Sequence, residues 1–422
     1  MRWWFSRELY VKIFIGIILG VIIGLTMGNA ADVVLKPIGE IFLRLLKMLI
    51  APVIFFTIVS GITTMESVKS LRSIGGKLLF YYLSTSVLAV IIGLAVGWIV
   101  QPGKQGMIFS ETDKTTEEIA KFNFIDSLVS YVPTNPFQAL VEGNVLQILF
   151  FSIFFGIVLL LLGDKVKTLT DVMRQGADAT IKITDIVMKF SPYGILALVV
   201  QMVNSLSIST LAEVGKFIIA DYIALIIVLI IVYPLQLKLL AKIKTIPFFK
   251  AISPSILIAA STTSSAATLP INLRVADKNL KIPEKIYGFG LTIGATVNTN
   301  GMAVAIGVIA IFACNIYGVP LTLPLLFQFV FLGLILSAGA AGVKGAGIVL
   351  SATLLSTMGL PLELIPILAA IWPLIDIGHT TVNVAGDLVG VSVIAARGDE
   401  MDVEAFNNPV LVSNNDMHQG KF

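Results

Sequence analysis

"IYGFGLTIGATVNTNGMAVAIGVIAIFACNIY", residues 286–317, begins and ends as an apolar helix. Its middle, GATVNTNGM (294–302), interrupts that helix with glycine, threonine and asparagine. Such a middle predicts unwinding near mid-membrane, and non-helical backbone at that depth is tolerated only when buried in protein or lining an aqueous cavity. The membrane setting follows from the rest of the chain. Of its 422 residues, 56% are hydrophobic and 13% charged, whereas an ordinary soluble protein carries about 25% charged residues. The apolar residues come in blocks such as VKIFIGIILGVIIGLTMG and VLQILFFSIFFGIVLLLLG, each close to the ~20 residues that cross a bilayer as a helix. The predicted class is an all-α polytopic membrane protein. The first block is too long for a signal-peptide core, lacks an A-x-A-like cleavage site and is expected to be retained.

The net charge of +3 says less than the placement of the charges. Lys69, Arg72 and Lys77 lie between two apolar blocks; Lys165, Lys167 and Arg174 flank another junction. Lys238, Lys242, Lys244 and Lys250 mark a third, and Arg274, Lys278, Lys281 and Lys285 a fourth. The longest polar stretch, Gln101 to Asn123, offsets three lysines with Glu111, Asp113, Glu117 and Glu118. By the positive-inside rule the lysine-rich joints face the cytoplasm and the long loop faces outward. That puts both termini in the cytoplasm of a multi-pass plasma-membrane protein. Cys314 is the only cysteine, which excludes an intrachain disulfide or a cysteine-rich metal site.

Six blocks read as simple spans: 10–30, 36–66, 78–100, 127–163, 178–204 and 211–240. Segments 251–276 and 322–359 differ, because STTSSAATLP (261–270) and SAGAAGVKGAG (337–347) break them midway. Neither half is expected to span, so each segment reads as a re-entrant helical hairpin with a Ser/Thr or Gly tip. Paired discontinuous segments point to the binding site of a secondary transporter.

The stretch LIDIGHTTVNVAGD (374–387) adds the chemistry. At ~100° per residue, Asp376, Thr380, Asn383 and Asp387 fall within about 60° of one another, and His379 lies about 40° beyond. An aspartate at mid-membrane costs roughly 2.5–3.5 kcal/mol on an insertion scale. Two on one face call for a cation, a ligand amine or water. The bland alternative is hydrogen bonding to neighbouring helices.

These residues resemble the glutamate transporter family, the dicarboxylate/amino acid:cation symporters. NPFQALVEGNVLQILFF, TSSAATLPINLRVA, GATVNTNGM, DIGHTTVNVAGD and SAGAAGVKGAG carry the likeness across nearly the whole chain, and it extends to the archaeal sodium-coupled aspartate transporters. The resemblance implies a homotrimer in the lipid bilayer, each protomer with eight transmembrane helices, two re-entrant hairpins, inverted repeats and an elevator motion. It also implies scaffold helices 1 and 2 in 1–70, transport-domain helix 3 in 71–103 and an extracellular loop over 104–126. Scaffold helices 4 and 5 then occupy 127–205, the rest of the transport domain 206–397 and a cytoplasmic tail 398–422.

The resemblance also assigns sites. Asp376 would bind a substrate α-ammonium and Asn383 its α-carboxylate, with Thr380 beside them. Charge-assisted contacts of this kind are short and strong. Thr263, Ser264 and Ser265 at the first hairpin tip would serve the same carboxylate, while Val343 and Gly347 of the second hairpin would cover the ligand. His379 stands where acidic-amino-acid carriers of the family have arginine, and Met302 where they usually have threonine. Loss of the arginine fork removes a contact of about 1.5–3 kcal/mol, which favours a neutral or weakly acidic side chain. His379 either meets the substrate or bonds Asp376 or a backbone carbonyl.

Three cation sites follow from the same likeness: Gly294, Asn298, Asn383 and Asp387; carbonyls of Thr296, Thr299, Ser337, Ala338 and Ala340; and Tyr82, Thr85, Ser86, Asn298 and Asn300. The family has aspartate where this chain has Asn300, so coupling is expected to use Na+ at fewer sites, or H+. Lys344 replaces the family's usual proline at the hairpin tip. It either snorkels to water or reaches inward in place of a coupling cation.

The expected function is therefore a cation-coupled, sodium-driven importer of an amino acid, with an acidic amino acid or C4-dicarboxylate, and a proton-coupled mechanism, as the alternative. A channel would need a continuous polar path. An intramembrane hydrolase built on Ser265, His379 and Asp376 lacks a G-x-S-x-G elbow, and no P-loop or dinucleotide fingerprint is present. No enzymatic activity and no nucleic-acid partner are expected.

Overall fold

The computed structural model describes residues 9–63, 75–105, 129, 132–205, 208–339 and 346–408. Among them every regular element is helical. In chain order these are α1 (Leu9–Met27), α2 (Asp32–Thr63), α3 (Gly76–Val100), α4 (Pro136–Glu142), α5 (Val145–Leu162), α6 (Lys167–Ser205) and α7 (Ile208–Ile227). A π turn, Val228–Val232, leads into α8 (Tyr233–Ala241). Then come α9 (Thr245–Thr262), α10 (Ser265–Lys278), α11 (Glu284–Val297), α12 (Asn300–Tyr317), α13 (Leu323–Ala338), α14 (Ala346–Thr357), α15 (Ile365–Arg397) and α16 (Val403–Asn407).

The breaks have local causes, and several correct the sequence expectations. The span expected over 127–163 is divided. Asn135 caps α4, its side-chain oxygen accepting from Phe137 N at 3.0 Å and Gln138 N at 3.3 Å, and Pro136 opens the helix. Gly143 ends α4 at φ 69°, a conformation glycine adopts without penalty. Asn144 then caps α5 by accepting from Gln147 N at 3.3 Å. The π turn precedes Pro234, which has no N–H to donate to the preceding turn. The interruption expected over 294–302 is narrower than predicted: only Asn298 (φ −92°, ψ 67°) and Thr299 (φ −101°, ψ 64°) leave the helix.

The first predicted hairpin is a helix–turn–helix. Thr263 takes a left-handed conformation at φ 48°, and the Ser264 hydroxyl oxygen caps α10 by accepting from Ala267 N at 3.2 Å. Its first arm starts at Thr245 rather than 251. At 18 residues it is long and apolar enough to cross a membrane, contrary to the expectation of two half-length arms. The tip of the second hairpin, 340–345, lies outside the described residues. Among those residues five helices or helix pairs meet the length and composition of a membrane span: Gly76–Val100, Leu211–Ala241, Thr245–Thr262, Glu284–Tyr317 and Leu362–Arg397. The segment that follows α15 is docked at Asn407: its Oδ1 accepts from Lys244 N at 2.7 Å, and its amide donates to Lys242 O at 2.8 Å.

Packing falls into two neighbourhoods. α6 lies along α1 and α2, and α5 lies on α2; α3 lies on α7, α12 and α13, while α15 touches α8 to α12 and also α6. Between lipid-embedded helices the drive is close van der Waals packing rather than escape from water. α12 illustrates it, being buried without a break from Asn300 to Cys314. Its Gly307 lies so close to α3 that a Cβ there would sit 2.6 Å from Val90 O.

Candidate functional site

The polar face of α15 meets three different elements. Nearest the end of α15, Asp387 is fully buried, and its Oδ1 accepts from Asn298 Nδ2 at 2.8 Å in the break between α11 and α12. Its Oδ2 has no hydrogen-bond partner among the described residues. One turn earlier, the Asn383 amide oxygen accepts from Gly301 N at 2.7 Å, at the start of α12. That bond fixes the orientation of the Asn383 amide, and no hydrogen bond among the described residues takes its N–H groups. Gly301 permits this approach, since a Cβ there would collide with the His379 carbonyl. Thr380 is buried and Asp376 half-buried.

His379 is buried, and its partner is one that the sequence reading did not anticipate. Nε2 lies 3.0 Å from Oδ1 and 2.9 Å from Oδ2 of Asp221 on α7. This replaces the expected partners, Asp376 or a backbone carbonyl. Nδ1 is buried with no hydrogen-bond partner, as is Nε1 of Trp372, whose ring centroid is 5.4 Å from that of the histidine. Gly378 lets α7 come this close; a Cβ there would lie 2.7 Å from Leu225 Cδ1 and 3.2 Å from Tyr222 Cε1. The adjoining Tyr222 hydroxyl donates to Leu374 O at 2.6 Å.

The π turn brings a second residue of the same long helix onto α15. Twelve positions separate Asp221 from Tyr233, which in an unbroken α-helix leaves them about 120° apart. The extra residue held by the π turn takes back roughly 100°. Tyr233 thus also faces α15, donating its hydroxyl to Val382 O at 2.9 Å and accepting from Asn300 Nδ2 at 3.0 Å.

Around Asn300 the expected third cation site is a closed hydrogen-bond network. Ser86 Oγ donates to Asn300 Oδ1 at 3.1 Å, and Asn300 Nδ2 also reaches Thr85 Oγ1 at 3.3 Å. Thr85 Oγ1 lies 2.9 Å from Tyr82 O and 3.4 Å from Asn298 Oδ1, and Tyr82 OH donates to Gly290 O at 3.1 Å. Tyr82, Thr85, Ser86, Asn298 and Asn300 are therefore brought together, but the amide of Asn300 directs N–H donors where a bound cation needs oxygen. Asp387 is the carboxylate next to this network: its Oδ1 lies beside Asn298 and Gly294, and its buried, unpartnered Oδ2 is left to meet a small hard cation or a proton. Among the described residues no three His, Cys, Asp or Glu side chains cluster as metal ligands.

The other expected residues are distributed as follows. Thr299 Oγ1 donates to Ser337 O, which joins the break to the end of α13, next to Ala338. Thr296 Oγ1 donates within its own helix to Ile293 O at 2.9 Å. Met302 is buried on α12. Thr263, Ser264 and Ser265 form the first hairpin's turn, whose two arms pack on α15. Gly347, on α14, lies against the Trp372 ring with no room for a Cβ. Ala340, Val343 and Lys344 lie outside the described residues.

The model of the sodium:dicarboxylate symporter family matches residues 9–397. The chain is 30% identical over 371 residues to a proton/sodium-glutamate symport protein of Geobacillus stearothermophilus, covering 86% of this chain and 87% of that protein. It is 31% identical over 378 residues to a protein of the same description from Bacillus subtilis, covering 87% of each. A C4-dicarboxylate transport protein of Bacillus subtilis is 29% identical over 377 residues, covering 87% of this chain and 88% of that protein.

Proposed function

The chain belongs to the sodium:dicarboxylate symporter family, a family of cation-coupled membrane transporters and not of enzymes, and on that basis we propose that it imports an amino acid with a neutral side chain, driven mainly by sodium. Asp376 anchors the α-ammonium, and the amide N–H groups of Asn383 bind the α-carboxylate. Thr263, Ser264 and Ser265 and the second hairpin complete the enclosure. The observation that carries the choice of side chain is the Asp221 carboxylate on His379. Neither protonation state of the imidazole makes that pair net positive, so a second substrate carboxylate meets no counterpart to an arginine fork. A hydroxyl or amide on the substrate would instead satisfy the unpartnered His379 Nδ1 and Trp372 Nε1.

Sodium coupling is supported by the oxygen-rich surroundings of Asp387 and by the family. The neutral network around Asn300 supports fewer sodium sites than a chain with aspartate at 300 would have. Helices α1, α2 and α4 to α6 form the scaffold of a homotrimer, and α3 with α7 to α15 form a transport domain that moves as an elevator, with both termini in the cytoplasm. The two packing neighbourhoods support that division.

A second reading, import of an acidic amino acid or C4-dicarboxylate with protons, is favoured by the names of the relatives. Uptake in proteoliposomes, over a panel of amino acids and dicarboxylates with sodium and proton gradients varied separately, distinguishes the two. Sodium-dependent accumulation of a neutral amino acid, abolished in Asp376→Asn, is the expected result. Uptake confined to aspartate, glutamate or dicarboxylates would overturn the side-chain assignment.

A further inference from the structure

A cavity of about 600 Å³ lies between α3, the end of α8 and the end of α15, away from the polar face just described. Its α3 wall is one helical face: Lys77, Phe80, Tyr81, Ser84, Thr85 and Leu88 recur at the three- and four-residue spacing of a stripe. Gln236 and Leu240 of α8 form the second wall, and Val393, Ile394 and Arg397 of α15 the third. The Tyr81 hydroxyl donates to Gln236 Oε1 at 2.7 Å, bridging the first two walls.

The described charges in this cavity are of one sign. Among the described lining residues the only charged ones are Lys77, in the first turn of α3, and Arg397, the last residue of α15, and both are exposed. Neither makes an ion pair with a carboxylate among the described residues. From Lys77 the groove runs along α3 to Leu88, about 16 Å at 1.5 Å per residue. Along that length Phe80, Leu88 and Leu240 expose apolar surface. A cationic mouth above an apolar groove matches an anionic headgroup carrying acyl chains. By the positive-inside reading the mouth opens at the cytoplasmic surface, where anionic lipids and basic pockets between helices meet.

We propose that this cavity is a binding site for an anionic phospholipid, with its phosphate between Lys77 and Arg397 and an acyl chain along Phe80, Leu88 and Leu240. The volume lies in the range of ligand-sized pockets, roughly 300–1,000 Å³. The inference is independent of the transported substrate. Because Thr85 lines the cavity and also belongs to the network around Asn300, occupancy bears on the back of the cation region.

The test is native mass spectrometry of the purified full chain titrated with phosphatidylglycerol, phosphatidylcholine or inorganic phosphate, comparing the wild type with Lys77→Gln/Arg397→Gln and with Leu240→Trp. Each cation near the surface is worth about fivefold in affinity for an anionic lipid. The expected result is preferential retention of phosphatidylglycerol, weakened about thirtyfold in the double variant and reduced when tryptophan fills the groove. Lys77 and Arg397 are exposed, and an unchanged thermal unfolding midpoint in the double variant shows that loss of lipid is not loss of fold. Equal binding of phosphatidylcholine, unchanged phosphatidylglycerol binding in the variants, or displacement of phosphatidylglycerol by millimolar inorganic phosphate would overturn the proposal.

Discussion

Replacing Asp221 with alanine tests the pairing on which the side-chain assignment rests. Both carboxylate oxygens lie within 3.0 Å of His379 Nε2, and the two side chains are 0% and 2% exposed. Nδ1 already lacks a partner, so the variant leaves both ring nitrogens buried and unpaired. Breaking a buried ion pair on one side costs about 3–5 kcal/mol, whereas losing a buried neutral hydrogen bond costs about 1–3 kcal/mol. Asp221→Ala is therefore expected in the upper range. Asp221→Asn, which keeps an acceptor but not the charge, is expected in the lower. The assay is equilibrium chemical unfolding of the purified protein in detergent, run as a double-mutant cycle with His379→Ala. A coupling energy of roughly 1.5–3 kcal/mol is expected for groups in direct contact. If the two single effects add to within about 0.5 kcal/mol of the double variant, the pair is not an energetic unit and the reasoning fails.

Asn300→Asp places a carboxylate among Ser86, Thr85 and Tyr233. Its unfolding midpoint should rise with sodium more steeply than that of the wild type, by the ~2.7 kcal/mol that a ligand at a hundred times its dissociation constant contributes; parallel sodium curves would refute this. Gly301→Ala forces a Cβ against the His379 carbonyl and should cost about 1–3 kcal/mol, with loss of substrate uptake; wild-type uptake would show that the break and α15 separate freely. In Lys344→Ala, altered sodium or pH dependence of uptake is expected if the ammonium substitutes for a coupling cation, and unchanged dependence assigns it to the water-facing role.

Much of this molecule was legible because membrane embedding makes polar residues expensive. The two aspartates and Asn383 on one face of α15, and the glycine–asparagine run before α12, could be placed from spacing alone. Element boundaries were harder, since the caps that divide α4 from α5 involve residues inside an otherwise apolar run. Asp221 was missed although the signal was present: a single carboxylate in FIIADYIALIIV must find a partner in lipid, and His379 is the complementary group. Tyr233 could not be placed at all. Its face depends on one extra residue in a turn that no periodicity announces, and straight-helix counting points it elsewhere.

That extra residue is also slack in the chain. The wide turn at Val228–Val232 holds one more residue than an α-helix of the same length requires. Deleting one position between Asp221 and Tyr233, Ile230 for instance, lets the turn tighten to ordinary α-helix while both ends keep their bearing on α15. A deletion beyond Tyr233 has no such reserve and rotates the rest of α8 by about 100°. The helix is thus tolerant of shortening at one place, and homologues one residue shorter there would hold the same two contacts on a straight rod.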